Sequence, residues 1–439
     1  MNRRMIAALA ALPVLLAACT TRTGNEYNVL DFGARGDGVT DDAAALQRTI
    51  DRCAQAGGGT VVLPAGRTFL SGPLELKGGI EYRFEPGSVL LANPDEGVYH
   101  LSAFGKNEGE GMLWLYARDT RDITLCGSGT IDGNGVAFMG EELEDSYELK
   151  PVTTFDPRPH VLTFYGVEGL RIRDLTIRNG AYWTVHLVGC TDALISGISL
   201  LNNLKIRNGD GIDIDHSRKV RISDCYIESG DDCICLKNRR EFARYGPCED
   251  IVVTNCIMTS RSCAVKIGSE NMDSIADVLF QNCVIRASNR GIGIQNRDEG
   301  TVRNVQFCNM YVESLLWSDV WWGKAEPIYV TSYPRASVNH KDANWRFPEG
   351  ATEGACGEVC DILFRDILCD AANGIFLGGD EPGKVHGIRF EGVQLRLAER
   401  LAGMYDRRPC KGEGFVPATS VPYAFDSVSD IYIDGKKVR

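Results

Sequence analysis

The chain has 439 residues, 44% of them apolar and 24% charged, with 48 Gly against 16 Pro. That balance excludes a disordered, collagen-like or proline-rich chain and leaves either two or three compact domains or one elongated domain. Forty-seven Lys and Arg against 59 Asp and Glu give a net charge of −12, which excludes a broad basic face for nucleic acid or anionic lipid; a polyanionic partner has to be met by local Lys or Arg.

From the N-terminus, Arg3 and Arg4 followed by the apolar run Met5 to Ala18 read as a signal peptide, too short to cross a bilayer. The run ends in Leu16-Ala17-Ala18-Cys19, which resembles a bacterial lipobox. Residues 1–18 are therefore expected to be removed, Cys19 to be lipidated, and residues 19–27 to act as a tether. Ordinary secretory cleavage near the Ala-rich end is the alternative. Asp is absent after Cys19, so the resemblance implies the outer membrane of a bacterial cell envelope, with the lipid as the sole membrane contact. Lipidation of Cys19 leaves fifteen of the sixteen cysteines, an odd number that forbids complete intramolecular pairing. Cys233-Ile234-Cys235 is too tight for a C-x-x-C site and the His residues are scattered, so no metal or organic cofactor is implied and the cysteines are expected as stacked core residues.

Thr40-Asp41-Asp42 ahead of Ala43 to Ala56 predicts a helix with Thr40 as N-cap, Leu46, Ile50 and Cys53 on one face, and Gly57-Gly58-Gly59 as terminator. Its place is over the end of whatever follows, as a cap. Val61 to Gly66 then opens the first strand.

Beyond it a repeat organises the chain. One segment recurs as Asp174-Leu175-Thr176-Ile177, Asp224-Cys225-Tyr226-Ile227, Asn255-Cys256-Ile257-Met258, Asn282-Cys283-Val284-Ile285, Asn309-Met310-Tyr311-Val312 and Asp366-Ile367-Leu368-Cys369. A second runs in phase with it, as in Gly211-Ile212-Asp213-Ile214, Ala264-Val265-Lys266-Ile267 and Gly291-Ile292-Gly293-Ile294. Short β-branched strands of period two, bounded by Gly, Asn, Asp and Ser at near-constant spacing, predict stacked coils, because one turn cannot bury its inward face alone. The expected fold is all-β, a single-stranded right-handed parallel β-helix over residues 28–439 with an N-terminal capping helix. A β-propeller also repeats, but with blades nearer forty residues and four strands each. The longer gap from Met310 to Ile367 leaves room for one full coil plus a loop insertion at 318–350, rich in Trp317, Trp321, Trp322 and Trp345.

Aligning Ile212, Ile234, Val265, Ile292 and Ile328 puts Asp210, Asp232, Cys263, Arg290 and Glu326 in one row, each two residues earlier. Adjacent coils lie about 4.8 Å apart, so Asp210 and Asp232 become neighbours, with Asp231 at the strand entrance. Crowded carboxyls raise one another's pKa, which supplies an acid and a base to one site, the pair that glycoside hydrolysis uses. Asp213 and Asp215 are read as turn decoration.

These residues carry a resemblance. Asn208-Gly209-Asp210-Gly211-Ile212-Asp213 and Ser229-Gly230-Asp231-Asp232-Cys233 resemble the paired motifs of glycoside hydrolase family 28, the polygalacturonases. Asp31 to Asp42, Gly127 to Gly133 and Asn179-Gly180-Ala181-Tyr182-Trp183 also fit, so the likeness covers about residues 28–315. It implies an inverting hydrolase of pectin, with Asp231 as general acid and Asp210 and Asp232 orienting and deprotonating a water, the carboxyls standing roughly 6.5–9.5 Å apart. Two departures stand out. The family's Gly-His-Gly is replaced by Ser262-Cys263-Ala264, and Lys266 is the candidate substitute for the histidine, with neutralisation of Asp215 or Glu270 as its alternative role. The family's Arg-x-Lys is replaced by Gly293-Ile294-Gln295, leaving Gln295, with Arg290 and Arg297 flanking the strand, as candidate substrate contacts; Glu326 and Trp322 complete that set. The departures point to a divergent branch acting on galacturonate- or rhamnogalacturonan-containing chains, exo-acting if the Trp-rich loop closes the groove, and monomeric. A polysaccharide lyase using Ca²⁺ and a non-catalytic surface glycan-binding β-helix are the rival readings.

Overall fold

A computed structural model describes residues 25–104, 111–142, 149–151, 158–317, 323–334, 356–397 and 422–439. They form a right-handed parallel β-helix. One sheet stacks eleven strands, from Leu74–Glu75 through Ile212–Asp215, Ile234–Asn238, Cys263–Asn271 and Arg290–Asn296 to Tyr423–Asp426. The rest of each coil belongs to a second, larger set of parallel strands that begins at Glu26–Asn28, two residues before the expected boundary.

The repeated Asp and Asn positions have a backbone reason. Asp174, Asp224, Asn255, Asn282, Asn309 and Asp366 all take positive φ, between 52° and 62°, where the chain bends between two strands of one coil. Asp and Asn tolerate the left-handed region better than other non-glycine residues because their short side chains bond locally. Stacked copies then bond to each other, as Asn255 Nδ2 donates to Asp224 Oδ1 at 3.1 Å and Asn309 Nδ2 to Asn282 Oδ1 at 2.8 Å.

Inward residues form one continuous core. Phe280, Phe307, Phe364 and Phe390 occupy one register position on successive coils and stack at centroid distances of 5.3, 5.1 and 5.0 Å. Buried Asn238, Asn271 and Asn296 make a polar ladder, Asn238 donating to Asn271 and Asn271 to Asn296 at 3.0 Å, and Asn296 closing it on the Gly300 carbonyl at 2.7 Å. The fourteen cysteines among the described residues are free and buried, as expected of core thiols.

Three expectations are corrected. The helix is Ala43–Gln55, and Asp42 is its N-cap. Thr40 lies in the strand Asp37–Asp41, two residues before the cap position and held by the Asp37 carboxylate through its N–H and its hydroxyl, while the first helical N–H, that of Ala43, is met by the Asp41 carboxylate at 2.9 Å. Val61 opens no first strand: Gly59–Leu63 follows Glu26–Asn28 and pairs with it. The gap from Met310 to Ile367 holds one full coil, as expected, because those two residues are register partners on successive coils. The added length lies inside one coil, and Ile328–Ser332, within the supposed 318–350 insertion, is a regular strand between Arg290–Asn296 and Ile375–Gly379. Residues 318–322 and 335–355, with Trp321, Trp322 and Trp345, lie outside the described residues, as do residues 1–18 and Cys19.

If the phenylalanine stack ties the C-terminal coils together, Phe307→Ala costs about 3–5 kcal/mol. The readout is the denaturant midpoint, and an unchanged midpoint would show that neighbouring coils hold without the ring.

Candidate active site

Asp210, Asp231 and Asp232 sit in two consecutive turns entering the eleven-stranded sheet. The turns are pressed together, which explains their glycines: a Cβ on Gly230 would lie 2.2 Å from the Ile206 carbonyl oxygen, and one on Gly211 would lie 2.4 Å from that of Cys233. Asn208 supplies a left-handed residue at φ 55°. Ile212, Ile234, Val265, Ile292 and Ile328 pair in register, as expected.

The three carboxyls converge. One oxygen of each lies within 4.8 Å of the others. Asp231 Oδ2 accepts from Asn208 N at 3.3 Å, and its carbonyl oxygen accepts the hydroxyls of Ser229 at 2.6 Å and Ser260 at 2.5 Å. Asp232 Oδ1 accepts from Ser262 Oγ at 3.1 Å, while its Oδ2 meets Lys266 Nζ at 2.9 Å. Lys266 therefore stands against the acidic cluster, not against Asp215 or Glu270. Asp210 Oδ1 is buried without a hydrogen-bond partner.

Two details differ from expectation. The carboxyls line no open groove wall: Asp210, Asp231 and Asp232 are 3, 4 and 1% exposed. The nearest oxygens are also closer than the roughly 6.5–9.5 Å typical of inverting pairs, because the pitch of adjacent coils fixes their spacing.

Electrostatics follow from this crowding. Burial, with Asp232 beside it, pushes Asp231 up to about 7. Burial, then Asp213 and Asp231, pushes Asp210 well above the carboxylate range. Burial disfavours the Lys266 ammonium, but its anionic neighbours, Asp232 first, outweigh that and hold it charged. The cluster therefore keeps protons near neutral pH beside a permanent cation.

Sequence reasoning missed a second pair. Asp213 and Asp215 decorate no turn; both lie fully buried in the strand Ile212–Asp215. Asp213 Oδ1 lies 3.3 Å from Lys237 Nζ, and burial raises Asp213 to about 7 against the pull of Lys237. Lys237 in turn sits 4.6 Å over the Trp183 ring, and Asp215 accepts the Arg239 N–H at 2.9 Å. The available signal was a lysine in the otherwise apolar segment Ile234-Cys235-Leu236, at the outward step of the alternation.

The remaining candidates divide. Arg290 and Glu326 are corrected as substrate contacts: both are fully buried and bind each other through two contacts at 3.1 and 3.2 Å. Glu326 also accepts the Lys324 N–H at 2.7 Å, and the Arg290 guanidinium lies 3.8 Å from the Tyr329 ring centroid. Arg297 is buried beyond the same strand and is not surface charge. Gln295 is 1% exposed and its Nε2 is buried without a hydrogen-bond partner. Trp322 lies outside the described residues.

As a cation site the acidic triplet is compromised, since Asp232 already has the Lys266 ammonium as its counter-charge. A protonated carboxyl beside carboxylates that hold a water is instead the equipment of hydrolysis.

The family model described as Glycosyl hydrolases family 28 matches residues 53–319. A probable polygalacturonase of Vitis vinifera is 28% identical over 416 residues, covering 89% of this chain and 78% of that protein. An exopolygalacturonase of Cochliobolus carbonum is 24% identical over 331 residues, 69% of each chain. Among solved structures the fold is similar to a family 28 exopolygalacturonase of Yersinia enterocolitica, with TM-score 0.70 at 20% identity over 94% of this chain and 79% of that one. It is also similar to a hyperthermoactive exopolygalacturonase of Thermotoga maritima, with TM-score 0.68 at 20% identity over 94% and 92%.

The raised Asp231 pKa has a stability consequence of definite sign. A carboxyl whose native pKa exceeds its unfolded value contributes fully below the unfolded pKa of 3.8 and loses that contribution as pH rises through about 7. Asp231→Asn is therefore expected to raise the thermal midpoint at pH 8 by about 1–4 °C and to change it little at pH 4. A lowered midpoint at pH 8 would contradict the crowding argument.

Proposed function

The chain belongs to glycosyl hydrolase family 28 and is a glycosidase acting on O-glycosyl bonds, and we propose that it removes residues from the ends of galacturonate- or rhamnogalacturonan-containing pectic chains by direct displacement with water. The observation that carries the mechanism is the convergence of three carboxyls, Asp231 and Asp210 both raised toward or beyond neutrality and Asp232 paired with Lys266. Asp231 donates its proton to the departing glycosidic oxygen. Asp210 orients the water, and Asp232, with Lys266 as counter-charge, receives the water proton. Two hydrogen bonds of about 2.8 Å at a near-tetrahedral angle span roughly 4.6 Å, which the oxygen spacing accommodates. The deep placement of the carboxyls supports action at chain ends over action along an open groove, in keeping with the exo-acting relatives.

We further propose that Leu16-Ala17-Ala18-Cys19 directs lipidation and anchors a monomeric enzyme in the cell envelope. Cys19→Ala is then expected to move the protein from the membrane to the soluble fraction, and membrane retention in the variant would oppose the anchor.

Asp231→Asn is expected to lower kcat on polygalacturonan or rhamnogalacturonan oligomers by about 10²–10⁴-fold. In the wild type, kcat/KM falls as pH rises through about 7, when the acid loses its proton. Proton NMR of the first product reads the anomeric configuration, inversion being the expected result. Near-wild-type hydrolysis by Asp231→Asn removes that residue from its role, a retained anomer removes direct displacement, and an unsaturated product identifies a lyase.

A further inference from the structure

Resting on the reading of the substrate as an acidic pectic chain, we infer that Arg261 and Trp317 form a subsite that binds the carboxylate of a uronic acid residue at the rim of the catalytic turn. The inference begins from how positive charge is distributed around the carboxyls. Lys266 is taken by Asp232 at 2.9 Å, Lys237 by Asp213 at 3.3 Å, Arg239 by Glu241 and Glu270 at 2.7 and 3.3 Å, and Arg290 by Glu326 at 3.1 Å. An acidic sugar cannot be neutralised by any of these without breaking an existing pair.

Arg261 differs. Among the described residues it has no carboxylate partner, and its Nη1 is buried without a hydrogen bond. A partly buried guanidinium with unused donors is costly unless something else binds them. Its backbone places it at the catalytic turn. Ser260, its predecessor, is in register with Ser229 and donates to the Asp231 carbonyl at 2.5 Å. Arg261 N itself donates to the Ser229 carbonyl at 3.1 Å. The residue thus projects from the turn one coil beyond the one that holds Asp231.

Trp317 fixes the guanidinium. The Arg261 Cζ lies 3.4 Å from the Trp317 ring centroid. The tryptophan is anchored by its N–H to Asn289 Oδ1 at 2.8 Å and by its indole N–H to the Ala287 carbonyl. Stacking leaves the in-plane donors of the guanidinium free, and that planar fork matches a carboxylate bidentately. Trp317 is 41% exposed, so its indole surface is available to a sugar face. A cation without a counter-ion among the described residues, an aromatic platform and a position one coil from the acid together describe a uronate subsite. The place of the family's Arg-x-Lys, now Gly293 and Gln295, carries no charge of its own.

The test compares wild type, Arg261→Gln and Arg261→Lys on a galacturonate oligomer and on the same oligomer with its carboxyls reduced to alcohols. Arg261→Gln is expected to raise KM on the acidic oligomer by about tenfold, with kcat little changed and with little effect on the neutral one. Arg261→Lys, which keeps the charge but loses the fork, falls between. Equal losses on both oligomers, a loss in kcat alone, or no loss overturns the inference, and Arg261→Lys serves if the glutamine variant does not fold. Failure of the hydrolytic reading looks different, since wild type would then cleave neither oligomer. In that case calorimetric binding of the acidic oligomer decides: Arg261→Gln must weaken it by about tenfold, and unweakened binding overturns the subsite.

Discussion

The pitch of the solenoid is the constraint on which the site depends. A side chain in a given register position has its counterpart on the next coil about 4.8 Å away, whatever the two charges are. That spacing holds Asp210, Asp231 and Asp232 within 4.8 Å of one another, against a repulsion that would drive the same groups apart on a flexible loop. The opposing force is the continuous apolar core and the in-register ladders, which fix the backbone on either side. Lys266 and Lys237 then offset part of the accumulated negative charge. The outcome is a cluster with protons still bound near neutral pH, so the rigidity of the fold is what gives the acid its pKa.

The same rule explains which parts of the site were legible in the amino-acid sequence. Strand alternation fixed the row Asp210, Asp232, Cys263, Arg290 and Glu326, and the structure has that row. Applied one step further, the rule also pairs Arg290 with Glu326, since neighbours of opposite charge in one row meet as surely as like charges do. Reading those two residues as substrate contacts considered each alone. Asp213 and Lys237 were hidden for a related reason: they occupy outward steps of strands whose apolar inward residues dominate the pattern. Thr40 was misplaced as a cap because the strand Asp37–Asp41 runs through it and delays the helix start to Ala43. Residue count gave the one coil and the inserted length between Met310 and Ile367, but not the place of the strand Ile328–Ser332 inside the expected 318–350 insertion.

The charge arrangement also bears on substrate choice. Internal pairing of Arg290 with Glu326 and the neutral Gln295 leave one side of the site without a free cation of its own. Arg261, stacked on Trp317 and without a carboxylate partner among the described residues, stands one coil from the turn that holds Asp231. Placing the acidic-sugar contact there, and uncharged contacts over the sheet, distinguishes this chain from family members that carry Arg-x-Lys on the strand.

The central claim is that Asp231 stays protonated near neutrality because the fold buries its carboxyl and holds Asp232 beside it. Isotope-edited infrared spectroscopy of the protein labelled at its aspartate carboxyls tests this most directly. The account predicts a protonated-carboxyl band that persists at pH 6, titrates away near pH 7 and weakens in Asp231→Asn. Complete ionisation of every aspartate by pH 5 would contradict it.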